Sequence, residues 1–163
     1  IVMNPINRIL VPTDLSNRNS NAYDHARQIA GRHGAKIDVI HVIPMWRYFS
    51  ESLEQLNIPL DREEDLYPHS QEWASAKVNR LMDHYLDPET KGKAVVRISH
   101  NPSRVITEYA ERGQYDLIVM GKHNADLLGG NITQKAIRRS SIPVLHTYAS
   151  ESEKDVAQAT VPA

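Results

Sequence analysis

Asp116-Leu117-Ile118-Val119-Met120-Gly121 is a continuous apolar run opened by an acid and closed by a glycine. A run this short, apolar at every inner position, reads as a strand buried on both faces. The segment after it, Lys122 to Gly130, is polar and glycine-containing, and then Ile132, Ala136 and Ile137 keep helical spacing. The same alternation extends outward in both directions. Upstream, Asn101 can cap a helix and Pro102 can take its first position, where a missing N–H costs nothing. Val105, Ile106, Tyr109 and Ala110 face inward on that helix, and Gly113 ends it. Downstream, Pro143 to Thr147 reads as a last strand.

Three more strand candidates fit the pattern. Arg8-Ile9-Leu10-Val11-Pro12 is followed by Thr13 and Asp14; Lys36 to Ile43 follows a helix carrying Ala22, Ala26, Ile29 and Ala30; and Ala94 to Ser99 follows a helix over Gln71–Leu86. Ser16 is the expected cap of the first helix, and Gly31 or Gly34 its stop. Strands alternating with helices predict an α/β fold, an open five-stranded parallel sheet with helices on both faces. Ligands of such sheets bind beyond the carboxyl ends of the strands, where strand order reverses.

The 163 residues predict one domain, over 4–148. An insertion over 44–70 interrupts it, and 149–163 reads as a flexible polar tail. The insertion carries Pro44, Pro59 and Pro68, an acidic cluster at Asp61, Glu63, Glu64 and Asp65, and Trp46, Tyr48, Phe49 and Tyr67. It reads as a solvated segment with one short helix near Glu51–Leu56; a lid and a protein-contact surface are the alternatives.

Absences narrow the chemistry. There is no cysteine, so disulfides, thiolate metal sites and cysteine nucleophiles are excluded. Nineteen Lys and Arg against twenty Asp and Glu leave a net charge of −1, which argues against a nucleic-acid partner for the domain as a whole. No apolar run approaches a membrane span, and no basic-then-apolar leader precedes the first strand, so the expected location is cytoplasmic. Neither GxxxxGK[ST] nor GxGxxG nor GxSxG occurs, and the eight histidines show no metal-ligand spacing. His41, His100 and His123 each follow a strand and are candidates to converge; a hydrogen-bonded structural role is the alternative for each.

Two loops hold the candidate site. Gly121 to Asn131 can turn successive N–H groups inward as an anion nest, with Lys122 as counter-charge, or can serve only as a connector. Asp14 can hydrogen-bond a nucleoside, or cap the next helix.

Taken in order, Arg8 to Ser16, Ile40-His41-Val42-Ile43, Asn101-Pro102, Asp116 to Gly121 and Ser141-Ile142-Pro143-Val144-Leu145 resemble the universal stress protein family, over about residues 7–148. The resemblance implies strand order 3-2-1-4-5 and an adenine-nucleotide alpha hydrolase-like sheet. It also implies a homodimer paired through the last strand, Pro143–Thr147, and an adenine nucleotide (ATP, ADP or AMP, with or without Mg) bound beyond strands one and four. Carried over, Asp14 and the backbone of Val42 hold the nucleoside, and Met120, Gly121 and Gly130 line the ribose and phosphates. Asn124 and Asn131 substitute for a glycine and a Ser/Thr. His100 stands where many relatives have glycine.

The ATP-binding pattern G-x2-G-x9-G-[ST] is not met in full. Only five residues separate Asn124 from Gly130, so the loop is four residues short. That shortfall is worth up to ~13 Å of extended chain. The expected function is therefore a stress-response regulatory protein binding an adenine nucleotide, with a dimeric interaction module that binds none as the alternative. Catalysis is expected to be absent, or at most slow nucleotide hydrolysis, because no base, arginine finger or metal carboxylates are arranged in the loops.

Overall fold

The computed structural model describes residues 4–16, 20–45, 71–121 and 132–148. Nine elements alternate along these residues: β1 (Arg8–Pro12), α1 (Ser20–His33), β2 (Lys36–Pro44), α2 (Gln71–Tyr85), β3 (Lys91–Ser99), α3 (Pro102–Arg112), β4 (Leu117–Gly121), α4 (Ile132–Arg139) and β5 (Val144–Thr147). The strands form one parallel sheet in the order β3-β2-β1-β4-β5, the order expected.

Two apolar layers sandwich this sheet. On one face Ala22, Tyr23, Ala26 and Ala30 of α1 and Val78 and Met82 of α2 pack on Ile9, Val11, Ile37, Val39 and Val119. On the other, Ile106 and Ala110 of α3 and Ala136 of α4 pack on Leu10, Ile40, Val42, Ile118 and Met120. Alternate residues of each strand serve opposite layers, the two-residue period of a strand. The strand whose reading decided the fold is buried at all five positions.

Several local expectations hold. The side chain of Asn101 accepts from the Arg104 amide at 3.2 Å, with Pro102 opening α3. Gly34, at φ +68°, ends α1 in the left-handed region that glycine enters without penalty. Others shift. Pro44, expected to open the insertion, closes β2; β3 begins at Lys91 rather than Ala94; and β5 begins one residue late, at Val144. The Ser16 amide and hydroxyl both donate to the Asp14 carboxylate, four residues before the first described helical residue, Ser20; the amides that a Ser16 cap would bond lie outside the described residues. The expected helix at 51–56 and the tail lie outside the described residues, as do the other insertion residues from Trp46 on.

At the amino-terminal end of the strands a buried polar cluster ties three strands together. Asp38, 4% exposed, accepts from Arg8 at 3.0 Å, from the Tyr115 hydroxyl at 2.6 Å and from the Lys93 amide at 2.6 Å. Arg8 also lies over the Tyr115 ring, 4.3 Å from its centroid. Asp116 closes the same end by accepting from the amides of Asn7 and Arg8 at 2.8 and 2.9 Å.

Candidate functional site

The opposite end of the sheet is where strand order reverses. From β1 the chain turns through α1 to β2; from β4 it turns through α4 to β5, on the other face. The β1–β4 register runs Ile9↔Leu117 and Leu10↔Ile118, whereas β1 continues to Pro12 and β4 to Gly121. Pro12 explains the early parting. The Arg8 carbonyl accepts from Asp116 on the β4 side and the Asn7 carbonyl accepts from Lys36 on the β2 side. By alternation Pro12 faces β4, and it has no N–H to offer there. The crevice therefore opens between β1 and β4.

Past Pro12, Thr13 still belongs to the β2 ladder: its amide donates to the Ile40 carbonyl at 2.9 Å. Its own carbonyl lies 2.8 Å from Nδ1 of the buried His41, which fixes that nitrogen as the N–H donor. Its hydroxyl accepts from the Leu15 amide at 3.1 Å. Leu15 is held at φ +67°, a left-handed conformation that is uncommon for a leucine. Asp14 sits at the apex, exposed, with Oδ1 accepting from the Ser16 amide at 2.9 Å and hydroxyl at 2.6 Å. The carboxylate is thus oriented by its own turn. Beneath it the Tyr23 side chain is fully buried and stacks on Tyr85, centroids 4.8 Å apart. Burial pushes the Tyr23 phenol up to about 12; Thr13 opposes the shift and the Asp14 charge adds to it. Though near Thr13, the phenol completes no hydrogen bond of good geometry among the described residues.

Val42 lies on β2 two residues beyond Ile40, so its N–H and C=O face the side where β1 has already ended. Only its backbone can serve, because the side chain is 7% exposed and packs in the α3–α4 layer. Met120 is fully buried in that same layer, which leaves its main chain as the part nearest the crevice. Gly121 ends β4, and its carbonyl accepts from the Thr133 hydroxyl at 3.3 Å, tying the first turn of α4 to the strand end. The Met120 carbonyl accepts from Thr147 at 3.3 Å. Asn124, Gly130 and Asn131 lie outside the described residues, and so does His123.

Asp14, Val42 and Gly121 are thus brought to one end of the sheet around one opening. The two described histidines of the expected trio do not converge. His41 shares its strand face with Val39 on the α1–α2 side, whereas His100 is exposed at the start of α3 on the other. Among the described residues no group of three His, Asp or Glu is placed to hold a metal ion. Sequence reading reached Thr13 only as part of the turn after the first strand, and missed Thr133 and Thr147, whose hydroxyls fasten the end of β4. The signal of all three was position alone: a threonine directly after β1, in the first turn of α4, and at the end of β5.

A family model described as the universal stress protein family matches residues 5–147. The chain belongs to this family. Proteins of known structure share the fold at low identity. The protein MJ0577 is 24% identical with a TM-score of 0.68, over 91% of this chain and 99% of that one. A universal stress protein in complex with cAMP is 20% identical with a TM-score of 0.61, over 90% of this chain and all of that one. One from Archaeoglobus fulgidus in complex with dAMP is 17% identical with a TM-score of 0.55, over 88% of this chain and 98% of that one. No helix among the described residues is long and apolar enough to cross a membrane.

Proposed function

We propose that this universal stress protein is a regulatory protein of the stress response that binds an adenine nucleotide, ATP, ADP or AMP, in the crevice between the ends of β1 and β4. The observation that carries the reading is the Thr13–Ser16 turn. A leucine in the left-handed region and a doubly hydrogen-bonded aspartate form a local arrangement with a conformational cost, and it stands at the strand-order reversal. A carboxylate so oriented suits ribose hydroxyls, which donate to it. The backbone of Val42 supplies a donor and an acceptor to a base edge. Gly121, with Gly130 and Asn131 beyond it, forms the phosphate side. Relatives crystallised with cAMP and dAMP support this ligand class. The loop, four residues short of the ATP pattern, favours the smaller nucleotides.

The protein acts in the cytoplasm as a homodimer. β5 is an edge of the sheet, half-buried at Val144, Leu145 and His146 where β4 is buried throughout, and an edge of this kind needs cover. The ligand is a regulatory one rather than a substrate, since Asp14, the candidate carboxylate of the crevice, is engaged by Ser16 rather than poised as a base.

The test is to heat-denature purified protein, analyse released nucleotide, and titrate AMP, ADP and ATP calorimetrically against wild type and Asp14→Ala. Binding that is weakened at least about tenfold by the substitution is expected, the loss of one charge-assisted hydrogen bond. No released nucleotide together with no binding at millimolar ligand would overturn the proposal in favour of an interaction module, with the 44–70 insertion as its contact surface.

A further inference from the structure

A second opening lies in the groove between α3 and α4, and Asp14 is not among the residues that line it. It encloses about 580 Å³, within the span of small-molecule sites. His100, Asn101 and Ser103 line it from the start of α3, and Lys135, Arg138 and Arg139 from α4. We infer that this groove is a binding site for a small polyanion, a molecule carrying two or more phosphate groups.

The α4 cations carry the argument. Lys135, Arg138 and Arg139 stand at i, i+3 and i+4 on one helix, all exposed, and none of them makes an ion pair among the described residues. Like charges at these spacings repel and weaken a helix. Arg138 and Arg139, in the last turn, gain from the helix dipole, but Lys135 does not. The acids of the neighbouring helix are already occupied. Glu108 accepts from Arg104 at 2.6 Å, and Glu111 accepts from the amide and hydroxyl of Ser141 at 3.2 and 2.9 Å. The charges of Arg112 and Arg139 also reach Glu108, so that one carboxylate faces three guanidinium groups. In a chain of net charge −1 this concentration is local, not the residue of a basic composition.

The start of α3 adds little charge attraction of its own. Asn101 already accepts from the Arg104 amide and from the Ser103 hydroxyl at 3.0 Å. The site works through its side chains: two guanidinium forks and an ammonium for phosphate oxygens, with the His100 ring beside them. Three cations within one groove match a ligand with several anionic groups better than a single phosphate.

The experiment titrates the full chain with inorganic tripolyphosphate and with orthophosphate by calorimetry. It compares wild type, the double variant Lys135→Glu/Arg138→Glu, and Asp14→Ala. All three positions are exposed, and circular dichroism confirms that each variant folds. Saturable tripolyphosphate binding, tighter than orthophosphate, weakened at least about tenfold in the double variant and unchanged in Asp14→Ala, is the expected result. Absence of saturable binding overturns the inference. So does retention in the double variant together with displacement of tripolyphosphate by AMP, which would assign the anion to the phosphate side of the crevice. A short RNA that displaces tripolyphosphate and binds more tightly, with a steeper salt dependence, would replace the small-ligand class with a nucleic acid. Tripolyphosphate binding in the double variant reads this inference and AMP binding in Asp14→Ala reads the nucleotide proposal, so either can fail while the other stands.

Discussion

Replacing Asp38 with alanine tests whether the polar cluster at the amino-terminal end of the sheet holds the fold independently of the crevice. Asp38 is 4% exposed and takes three hydrogen bonds, from Arg8, Tyr115 and the Lys93 amide. Breaking a fully buried ion pair costs about 3–5 kcal/mol. Arg8 is 40% exposed, so its guanidinium regains water and that figure must be discounted. The Lys93 amide, on an exposed residue of the edge strand, recovers as well. The Tyr115 hydroxyl does not: Tyr115 is 4% exposed and loses its acceptor, at roughly 1–3 kcal/mol. The net expectation is about 3 kcal/mol of lost stability, or roughly 9 °C in Tm for a domain of this size. Urea unfolding followed by circular dichroism measures it, read at unchanged m-value. Asp38→Asn, which keeps the shape and one acceptor oxygen, should lose about half as much. A loss below about 1 kcal/mol for the alanine variant would refute the cluster as a fastening, because the penalty for breaking a buried pair would then be absent. Nucleotide affinity should not follow the stability, since the cluster and Asp14 occupy opposite ends of the strands.

Three other substitutions probe the same framework. Tyr23, pushed up to about 12 from 10.0 by burial, favours the neutral phenol in the folded chain; the stability this gives is present below pH 10 and is lost as pH rises toward 12. Two units correspond to roughly 3 kcal/mol, so Tyr23→Phe should flatten the alkaline limb of a stability–pH curve, and an unchanged limb would mean the phenol ionises freely. Gly92→Ala places a Cβ 2.0 Å from Asp38 Oδ1 and 2.8 Å from the Ile37 carbonyl, and should cost about 2 kcal/mol by denaturant unfolding; a neutral result would show that the β3 edge moves aside. Thr133→Val removes the bond to the Gly121 carbonyl while keeping the shape, and should cost about 1 kcal/mol; hydrogen exchange should quicken in the first turn of α4 and stay constant in β1.

The fold was legible because its strands are short apolar runs separated by helical periodicity. Leu117 to Gly121 could hardly be read otherwise once Asn101-Pro102 and Ile132-Ala136 stood on either side. Boundaries were less legible for a local reason. Pro44 looks like a breaker, yet an edge-directed or ladder-end position in a strand tolerates a proline, and Lys91 to Lys93 are too polar to announce the start of an edge strand. Ser16 matched a helix cap by type, and its hydroxyl also donates to Asp14 two residues earlier, a turn-closing bond that residue type alone does not announce. Of the site, the residues that follow strand ends were legible from topology alone. The hydroxyls that fasten those ends were not, because a threonine's partner is decided by which carbonyl the packing brings to it.

The reversal point also shows how one residue's chemistry sets a crevice. Parallel strands run together as long as each offers donors to the other. At Pro12 the donor toward β4 is missing, so the ladder stops while both strands continue, and the chain must then turn away over α1. The next residue is tied to β2 instead: Thr13 bonds to Ile40 through its amide and to His41 through its carbonyl. With Thr13 anchored on one side only, the turn is forced tight, Leu15 enters the left-handed region, and Asp14 is lifted to the exposed apex between the two strand ends. On the β4 side the carbonyls of Met120 and Gly121 receive the Thr147 and Thr133 hydroxyls, so that wall is fixed by α4 and β5 rather than by β1. Each wall of the opening is therefore held from its own flank by bonds among the described residues. The β1–β4 ladder has already stopped there, which is the physical argument for proposing the nucleotide at the reversal point and not at the opposite end, where the Asp38 cluster joins the strands.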